Sequence, residues 1–480
     1  MQKRFKLKIR AGETFLYRET GTESQVFELR LKTNIIHAHL ERAARLAYKR
    51  YPYFKSRFKT KDGNVYLCDN RISPPPQRLK KLRPLGGMAT NKNLLDITYY
   101  KNYLYISFHH AMCDGRGIMQ FIKTLMFYYL NFKYPHNNIR IPDVRLWGEG
   151  FLSKETADPV DEGNFVFDQS NVYKVDRTAF AIPEVQVGVE AGTDSWRYEL
   201  LFNVHEVIKV CKAMNATPVI LMTIFMHKAV SALNPNADKP ILCNMSCDWR
   251  ESIGLPNTFR NCVSSIYLPY GKVEEKMDMV DLTSHYRMLI AKQKQLDSAR
   301  CNASVMKYMS DMLDSLETIE KKQEVVKNFT SKSVDSFVCS YTGKANMGDA
   351  EKYINEMHVY SSGTKGICLQ MMSIADTFTV DFLQNFPDKL YVEEFIRQAK
   401  LFNLTIECSE LIKYRTPKDK GTTKNRFIDK LKRLICISSN KKCNISAKNG
   451  ALSIFFFATC EKQIASAVVY LCKGGSVGFP

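Results

Sequence analysis

The stretch from Tyr103 to Leu130 constrains this chain more than any other. Tyr103 to Phe108 alternates as a strand does, Met119 to Leu130 has helical character, and only a short turn separates them. A strand that feeds a helix through so short a connection is the junction of an α/β unit, where side chains at the strand end are presented rather than packed away. The turn reads His109-His110-Ala111-Met112-Cys113-Asp114-Gly115. An imidazole is matched to removing a hydroxyl or amine proton near neutral pH once the fold fixes its ring and tautomer, and His110 is the better placed of the two. Asp114 would lock the turn through an arginine or polar backbone. Gly115 would let the chain reverse without a Cβ clash.

Histidine followed four residues later by aspartate is a common spacing in a chain with 9 His and 49 acidic residues. Taken alone, His109-His110 also suits a satisfied pair at a strand end. His110 and Asp114 have the spacing of metal ligands, but no third ligand is evident and no metal is assigned. Cys113 lacks the surroundings of a nucleophile and reads as a small filler. His37 and His39 flank a helix start, and His136, His205, His227, His285 and His358 have no partner in the sequence pattern. Met119 to Leu130 reads as a core helix rather than a cofactor box.

The His109 to Gly115 stretch resembles the HHxxxDG motif of the chloramphenicol-acetyltransferase-like superfamily, which includes nonribosomal peptide condensation domains, plant BAHD acyltransferases and alcohol acetyltransferases. Upstream, His39-Leu40-Glu41-Arg42-Ala43-Ala44 leads into Arg50-Tyr51-Pro52-Tyr53-Phe54-Lys55-Ser56-Arg57-Phe58, similar to the helix, turn and strand that open these folds. Downstream, Asp248-Trp249-Arg250 and Leu255-Pro256-Asn257-Thr258-Phe259-Arg260-Asn261 are similar to the "D-x-R…GN" stretch, with Arg260 where many members have glycine. Ser340-Tyr341-Thr342-Gly343 is similar to the "S-N-x-G" strand end, with Tyr341 in place of asparagine. The Asp-Phe-Gly-Trp-Gly sequence of the BAHD branch is missing, which argues against that branch, and the chain most resembles the alcohol acetyltransferase branch.

The resemblance implies an α/β fold of two chloramphenicol-acetyltransferase-like lobes, each a mixed sheet packed with helices, in a pseudo-dimeric arrangement with a tunnel between them. It implies acyl transfer from a thioester to an alcohol or amine acceptor. His110 would be the general base, His109 its support, Asp114 a structural residue paired with Arg250, and Gly115 part of the turn. The hydroxyls of Ser340 and Thr342 would stabilise the oxyanion. Acyl-CoA enters as co-substrate, with no permanently bound cofactor. An acyl carrier protein is the alternative thioester source, which would make the chain a free-standing condensation domain. A catalytically silent binding or scaffold protein of the same fold is the third reading. Two lobes in one chain imply a complete site in a monomer.

Along the chain, Lys6 to Leu146 reads as a first α/β unit, with a strand at Val26 to Leu31 and a helix at Ile36 to Tyr51. A polar, acidic connection follows from Gly148 to about Tyr173. From Trp196 a second unit begins with an alternating strand at Tyr198, Leu200 and Phe202, a helix from Val204 to Met214, and another that Thr217-Pro218 caps and starts. Ile241 to Cys247 and Ser336 to Tyr341 read as strands, Met277 to Leu296 as a long polar helix, and Gly366 to Leu404 as strand, strand and helix. The expected divisions are an N-terminal acyltransferase lobe at 1–150, a linker at 151–195, a C-terminal lobe at 196–410 and a basic extension at 411–480.

At 480 residues and 45% hydrophobic content the chain can bury sizeable cores. Its 14 cysteines form no CxxC pair and its opening residues lack the apolar run of a secretory signal, so an intracellular, cytoplasmic setting is expected. No apolar run approaches the roughly 18 residues of a membrane span, since Ala451 to Cys460 stops at Glu461. Half of the net charge of +20 sits between Lys413 and Lys448, where twelve Lys and Arg face only Asp419 and Asp429. The charge suits the phosphates of CoA, and no nucleic acid is expected. Phe427, Ile428, Leu431 and Leu434 give the extension the spacing of an amphipathic helix, a solvated face by default and an anionic-membrane contact as the alternative. Lys441 to Pro480 looks unlike the superfamily.

Overall fold

The computed structural model describes residues 5–10, 14, 16–17, 23–161, 178–191, 194–331, 335–414, 443–448 and 451–456. The chain divides into two compact units, 1–417 and 418–480. The first unit opens with β1 (Lys6–Lys8), β2 (Ser24–Leu31), α1 (His37–Arg50), β3 (Ser56–Lys61), β4 (Asn64–Asp69), β5 (Gln77–Arg78), β6 (Leu95–Tyr100), β7 (Tyr103–His109) and α2 (Gly115–Lys133). It continues with α3 (Pro183–Ala191), β8 (Ser195–Asn203), α4 (Val204–Ala213), α5 (Pro218–Leu233), β9 (Ile241–Asp248), β10 (Val263–Tyr270), α6 (Met279–Gln293), α7 (Leu296–Asp314) and α8 (Ile319–Ser331). β11 (Phe337–Lys344), β12 (Ile354–Ser361), β13 (Ile367–Ile374), β14 (Thr377–Gln384), α9 (Leu390–Lys400), β15 (Ile406–Cys408) and β16 (Ile412–Tyr414) complete it.

Two mixed sheets carry the architecture. The first runs β12-β2-β7-β6-β5, antiparallel except for the parallel β5–β6 pair. On one face, Phe27, Leu29, Leu104, Ile106 and Phe108 meet α1 through Leu40, Ala43, Ala44 and Ala47, and α2 through Ile118, Phe121, Ile122 and Leu125. The small residues of α1 let the two helices approach closely. Pro52 stops α1, because the residue before a proline is driven out of the helical region, and Tyr51 there is non-helical. The second sheet runs β10-β9-β11-β13-β14-β8-β15, with parallel pairs only at β9–β11 and β11–β13. Helix α5 is apolar all round because it is buried against this sheet and α9; Thr217 caps it by accepting from Ile220 N at 3.4 Å. A small sheet, β1-β4-β3, flanks the first.

The sheets do not follow the divisions expected from sequence. β12 lies in the 196–410 segment, yet it pairs antiparallel with β2 in the first sheet, while Thr379 Oγ1 of β14 donates to Met357 O at 2.8 Å. No strand was expected there because Glu356 and His358 interrupt the apolar pattern. The acidic connection is also less solvated than its composition suggests. Glu155 is buried against Arg50 at 2.6 Å and Asp158 against Arg260 at 2.7 Å. The helix expected over Met277 to Leu296 ends at Gln293; a non-helical Gln295 breaks it, and α7 and α8 follow.

Among the described residues no single helix is long and apolar enough to cross a membrane. In the second unit, β17 (Cys443–Lys448) pairs antiparallel with β18 (Ala451–Phe456). The amphipathic pattern at Phe427 to Leu434 lies outside the described residues, as do Gly163 to Tyr173 of the acidic connection.

Candidate active site

β7 ends at His109, and the chain turns through His110 to Cys113 before Asp114 caps α2. Asp114 is extended, and its Oδ1 accepts from Gly117 N at 2.9 Å, satisfying one of the open donors of the helix start. The same Oδ1 accepts from Arg250 Nη2 at 2.8 Å, and Oδ2 accepts from Cys262 N at 2.8 Å. Three donors on a buried carboxylate fix the turn and leave Asp114 unsuited to join His110 around a metal.

Arg250 reaches this carboxylate from the loop between β9 and β10. Its Nε donates to Thr258 O at 3.0 Å, Nη1 to Asp248 Oδ1 at 2.9 Å and Nη2 to Arg260 O at 2.7 Å. Burial works against the guanidinium charge, but Asp114 and Asp248 outweigh it and raise the pKa above the ordinary arginine value. Arg116, on the exposed side of α2, adds a bond to Asp248 at 2.6 Å and one to Glu251 at 3.0 Å. The glycine replaced by Arg260 is explained by the same loop: the side chain is buried and donates to Lys8 O at 2.7 Å as well as pairing with Asp158.

Gly115 does not reverse the chain, contrary to expectation. It is the first residue of α2 and is not left-handed; what its missing side chain provides is room, since a Cβ there would stand 3.3 Å from Thr342 Cγ2. Gly117 is tighter still. A Cβ would lie 2.2 Å from Phe259 O, so the loop carrying Arg250 can lie against α2 only over a glycine.

The two histidines are held differently. His109 is buried, its Nδ1 accepts from Ala111 N at 3.1 Å, and Phe58 stands edge-on at 4.9 Å. Burial, with the charge of His110 beside it, pushes its pKa down to about 3, so it is a neutral ring with its proton on Nε2. His110 is half-buried, and its main-chain N donates to Glu23 O at 2.6 Å. Its Nδ1 lies 3.1 Å from Cys113 O, which can only accept. Asn261 Nδ2, which can only donate, lies 3.0 Å from the same Nδ1. The tautomer that gives its Nδ1 proton to Cys113 O has its lone pair on Nε2, the arrangement a base requires.

Ser340 and Thr342 lie on β11, where Phe337, Cys339 and Tyr341 turn to the core of the second sheet. By alternation the two hydroxyl residues face the other way, and Thr342 lies against the start of α2. Tyr341, in place of asparagine, points into the core and lies 3.4 Å from Ser373 Oγ. The structure thus gathers His110, Asp114, Gly115, Arg250 and Thr342 around one turn.

A second cluster of charges had no signature in sequence. Arg197 of β8 reaches Asp381 of β14 at 2.7 Å, Glu199 at 3.0 Å and Glu28 of β2 at 3.3 Å. Arg30 bridges Glu28 at 2.8 Å, Glu199 at 2.6 Å and Glu356 of β12 at 2.7 Å. His358 lies between Asp381 at 3.1 Å and Glu356 at 3.2 Å. Burial opposes its charge, but Asp381 and Glu356 raise its pKa to about 9, making it a buried imidazolium. Glu199, His358 and Asp381 have donor atoms close enough for a cation. Their atoms are already engaged by two guanidiniums and by the His358 protons, so the group is an ion-pair network.

No protein-family model and no curated protein sequence matches the chain. Its similarity is to solved structures. Polyketide synthase associated protein 5 from Mycobacterium tuberculosis aligns with a TM-score of 0.55 at 12% identity, over 82% of this chain and 97% of that one. The first condensation domain of the CDA synthetase aligns with a TM-score of 0.54 at 13% identity, over 84% and 95%. The fold is one that condensation domains have. F. sporotrichioides TRI101, in complex with coenzyme A and T-2, shares this condensation-type fold with a TM-score of 0.52 at 12% identity, over 83% of this chain and 99% of that one.

Proposed function

We propose that this protein is an acyltransferase in which His110 acts as general base on an acceptor hydroxyl or amine attacking an acyl thioester. The observation that carries the proposal is the half-buried His110 ring just past the end of β7, with Nδ1 3.1 Å from Cys113 O; the tautomer that donates there has its lone pair on Nε2. The acceptor gives its proton to Nε2 as its oxygen or nitrogen bonds to the thioester carbonyl; collapse of the tetrahedral intermediate expels the thiolate, which regains a proton from His110. Acyl-CoA is the donor we favour, in line with the coenzyme A bound to TRI101 and with the net positive charge. The substrates would enter from opposite mouths of a tunnel between the lobes, and a hydroxyl of Thr342 or Ser340 would meet the developing oxyanion. An acylated carrier protein is the second donor to test, because condensation domains share the fold.

The test is thiol release from a panel of acyl-CoAs and acylated carrier proteins with alcohol and amine acceptors. His110→Ala is expected to lower kcat by about 10²–10⁴-fold, the usual worth of a general base. Turnover unaffected by the substitution removes His110 from the reaction, and release by no donor points to a silent protein of this fold.

A further inference from the structure

The second sheet turns one face to its own helices and the other to the first sheet. In β13, Leu369 and Met371 enter the core of the second sheet, while Cys368 packs against Val26 of β2 and Tyr360 of β12. Gln370 shares the face of Cys368 by alternation. Its register partners are Ser340 of β11 and Asp381 of β14. Gln370 is only 8% exposed, and its Oε1 has no hydrogen-bond partner among the described residues. A buried carbonyl oxygen left unpaired is a cost that an arriving donor removes. Its neighbours do not supply that donor. The Asp381 carboxylate can only accept, and it is held by Arg197, His358 and Val359 N. Burial raises the pKa of the Cys368 thiol, and its hydrogen bond with Gln370 works the other way, as a bond donated by the amide nitrogen does. The oxygen lies beside the proposed site, because neighbouring strands stand about 4.8 Å apart and Ser340 shares its face with Thr342, which meets the start of α2.

We propose that Gln370 is a specificity-determining residue whose Oε1 takes a hydrogen bond from an uncharged O–H or N–H of a substrate, a few atoms from the group that reacts beside His110. This rests on the reading of the site as an acyl-transfer centre and adds what one of the substrates must carry. The donor is uncharged because the surfaces next to Gln370 are those of Val26, Val338, Cys368 and Leu383, and the charge of Asp381 is already matched by Arg197 and His358. Two substrates offer such a group: an acceptor with a second hydroxyl, and the amide of a pantetheine arm on the thioester donor.

The experiment compares full-length wild type with Gln370→Met, which keeps the length of the side chain and removes the oxygen. The variant should melt at the same temperature as wild type or above it, because it no longer buries an unpaired acceptor. Coenzyme A, and its nucleotide portion without the pantetheine arm, are titrated calorimetrically into both proteins. Thiol release is measured with diols and the matching mono-alcohols. If the pantetheine amide is the donor, the preference for coenzyme A over the armless nucleotide should fall about tenfold in Gln370→Met, the size expected for one buried hydrogen bond. If the acceptor is the donor, the kcat/KM ratio of diol to mono-alcohol should fall by about the same factor. Either fall supports the proposal and names the substrate concerned. Both ratios unchanged, or a melting temperature lowered by the substitution as for an oxygen that serves only the fold, overturns it. A fallen coenzyme A ratio without thiol release fails the acyl-transfer reading alone, and thiol release with both ratios unchanged fails this proposal alone.

Discussion

Two buried ionic clusters tie the sheets together, and they are built on opposite principles. At the HHxxxDG turn, Asp114 and Arg250 satisfy one another, Arg250 gives one further bond to Asp248, and the rest of their capacity goes to the main chain, at Gly117, Cys262, Thr258 and Arg260. In the network beneath β12, Glu28, Glu199, Glu356 and Asp381 share Arg30, Arg197 and a protonated His358, so side chains do nearly all of the work. A pair anchored to the backbone fixes the geometry of a loop. A network of side chains holds a crossing strand, but its balance depends on a proton. Buried ion pairs are not reliable sources of net stability, yet breaking one exposes the full desolvation penalty of what remains.

The largest effect is expected at Arg197. Arg197→Met would leave Asp381, Glu28 and Glu199 short of their shared cation, for a loss of about 3–5 kcal/mol in urea denaturation. Arg250→Met strands Asp114 as well, but two backbone N–H groups still hold that carboxylate, so its loss should fall at the lower end, about 3 kcal/mol. If Arg250→Met proves the more destabilising, the contrast between the clusters is wrong.

The proton sharpens the comparison. His358 has its pKa raised from the ordinary 6.5 to about 9, so its contribution, on the order of 3 kcal/mol, is fully present below pH 6.5 and is lost as pH rises through 9. Asp381, Glu28 and Glu356 are lowered instead, so their contribution is present above the ordinary carboxylate range and lost as pH falls through their folded values. Melting temperatures measured from pH 6 to 10 should fall on the alkaline side, and His358→Gln should flatten that fall.

The smallest effects separate the two glycines of α2. Gly117→Ala sets a Cβ against the Phe259 carbonyl and should cost about 1–3 kcal/mol, while Gly115→Ala meets the Thr342 methyl at 3.3 Å, with Thr342 Oγ1 and Phe27 at ordinary contact distance, and should cost under about 1 kcal/mol. Equal losses in denaturation would show that the loop, rather than the glycine, yields at Gly117.

Much of the molecule was legible in advance because local signals agreed. The alternation of Tyr103 to Phe108, the Thr217-Pro218 start of α5 and the HHxxxDG stretch each state their structure within a few residues. β12 was not legible, since residues that pair with charges across another sheet look like solvent-facing ones in a linear pattern. The same blindness hid the burial of Glu155 and Asp158 in a stretch that reads as a linker.

The sequence by itself determined the strand-turn-helix that carries His110, because period, cap and turn are local properties of neighbouring residues. Only the tertiary structure decided the protonation states of His109 and His358. Those depend on burial and on partners such as Asp381, which β14 brings to His358 across the fold.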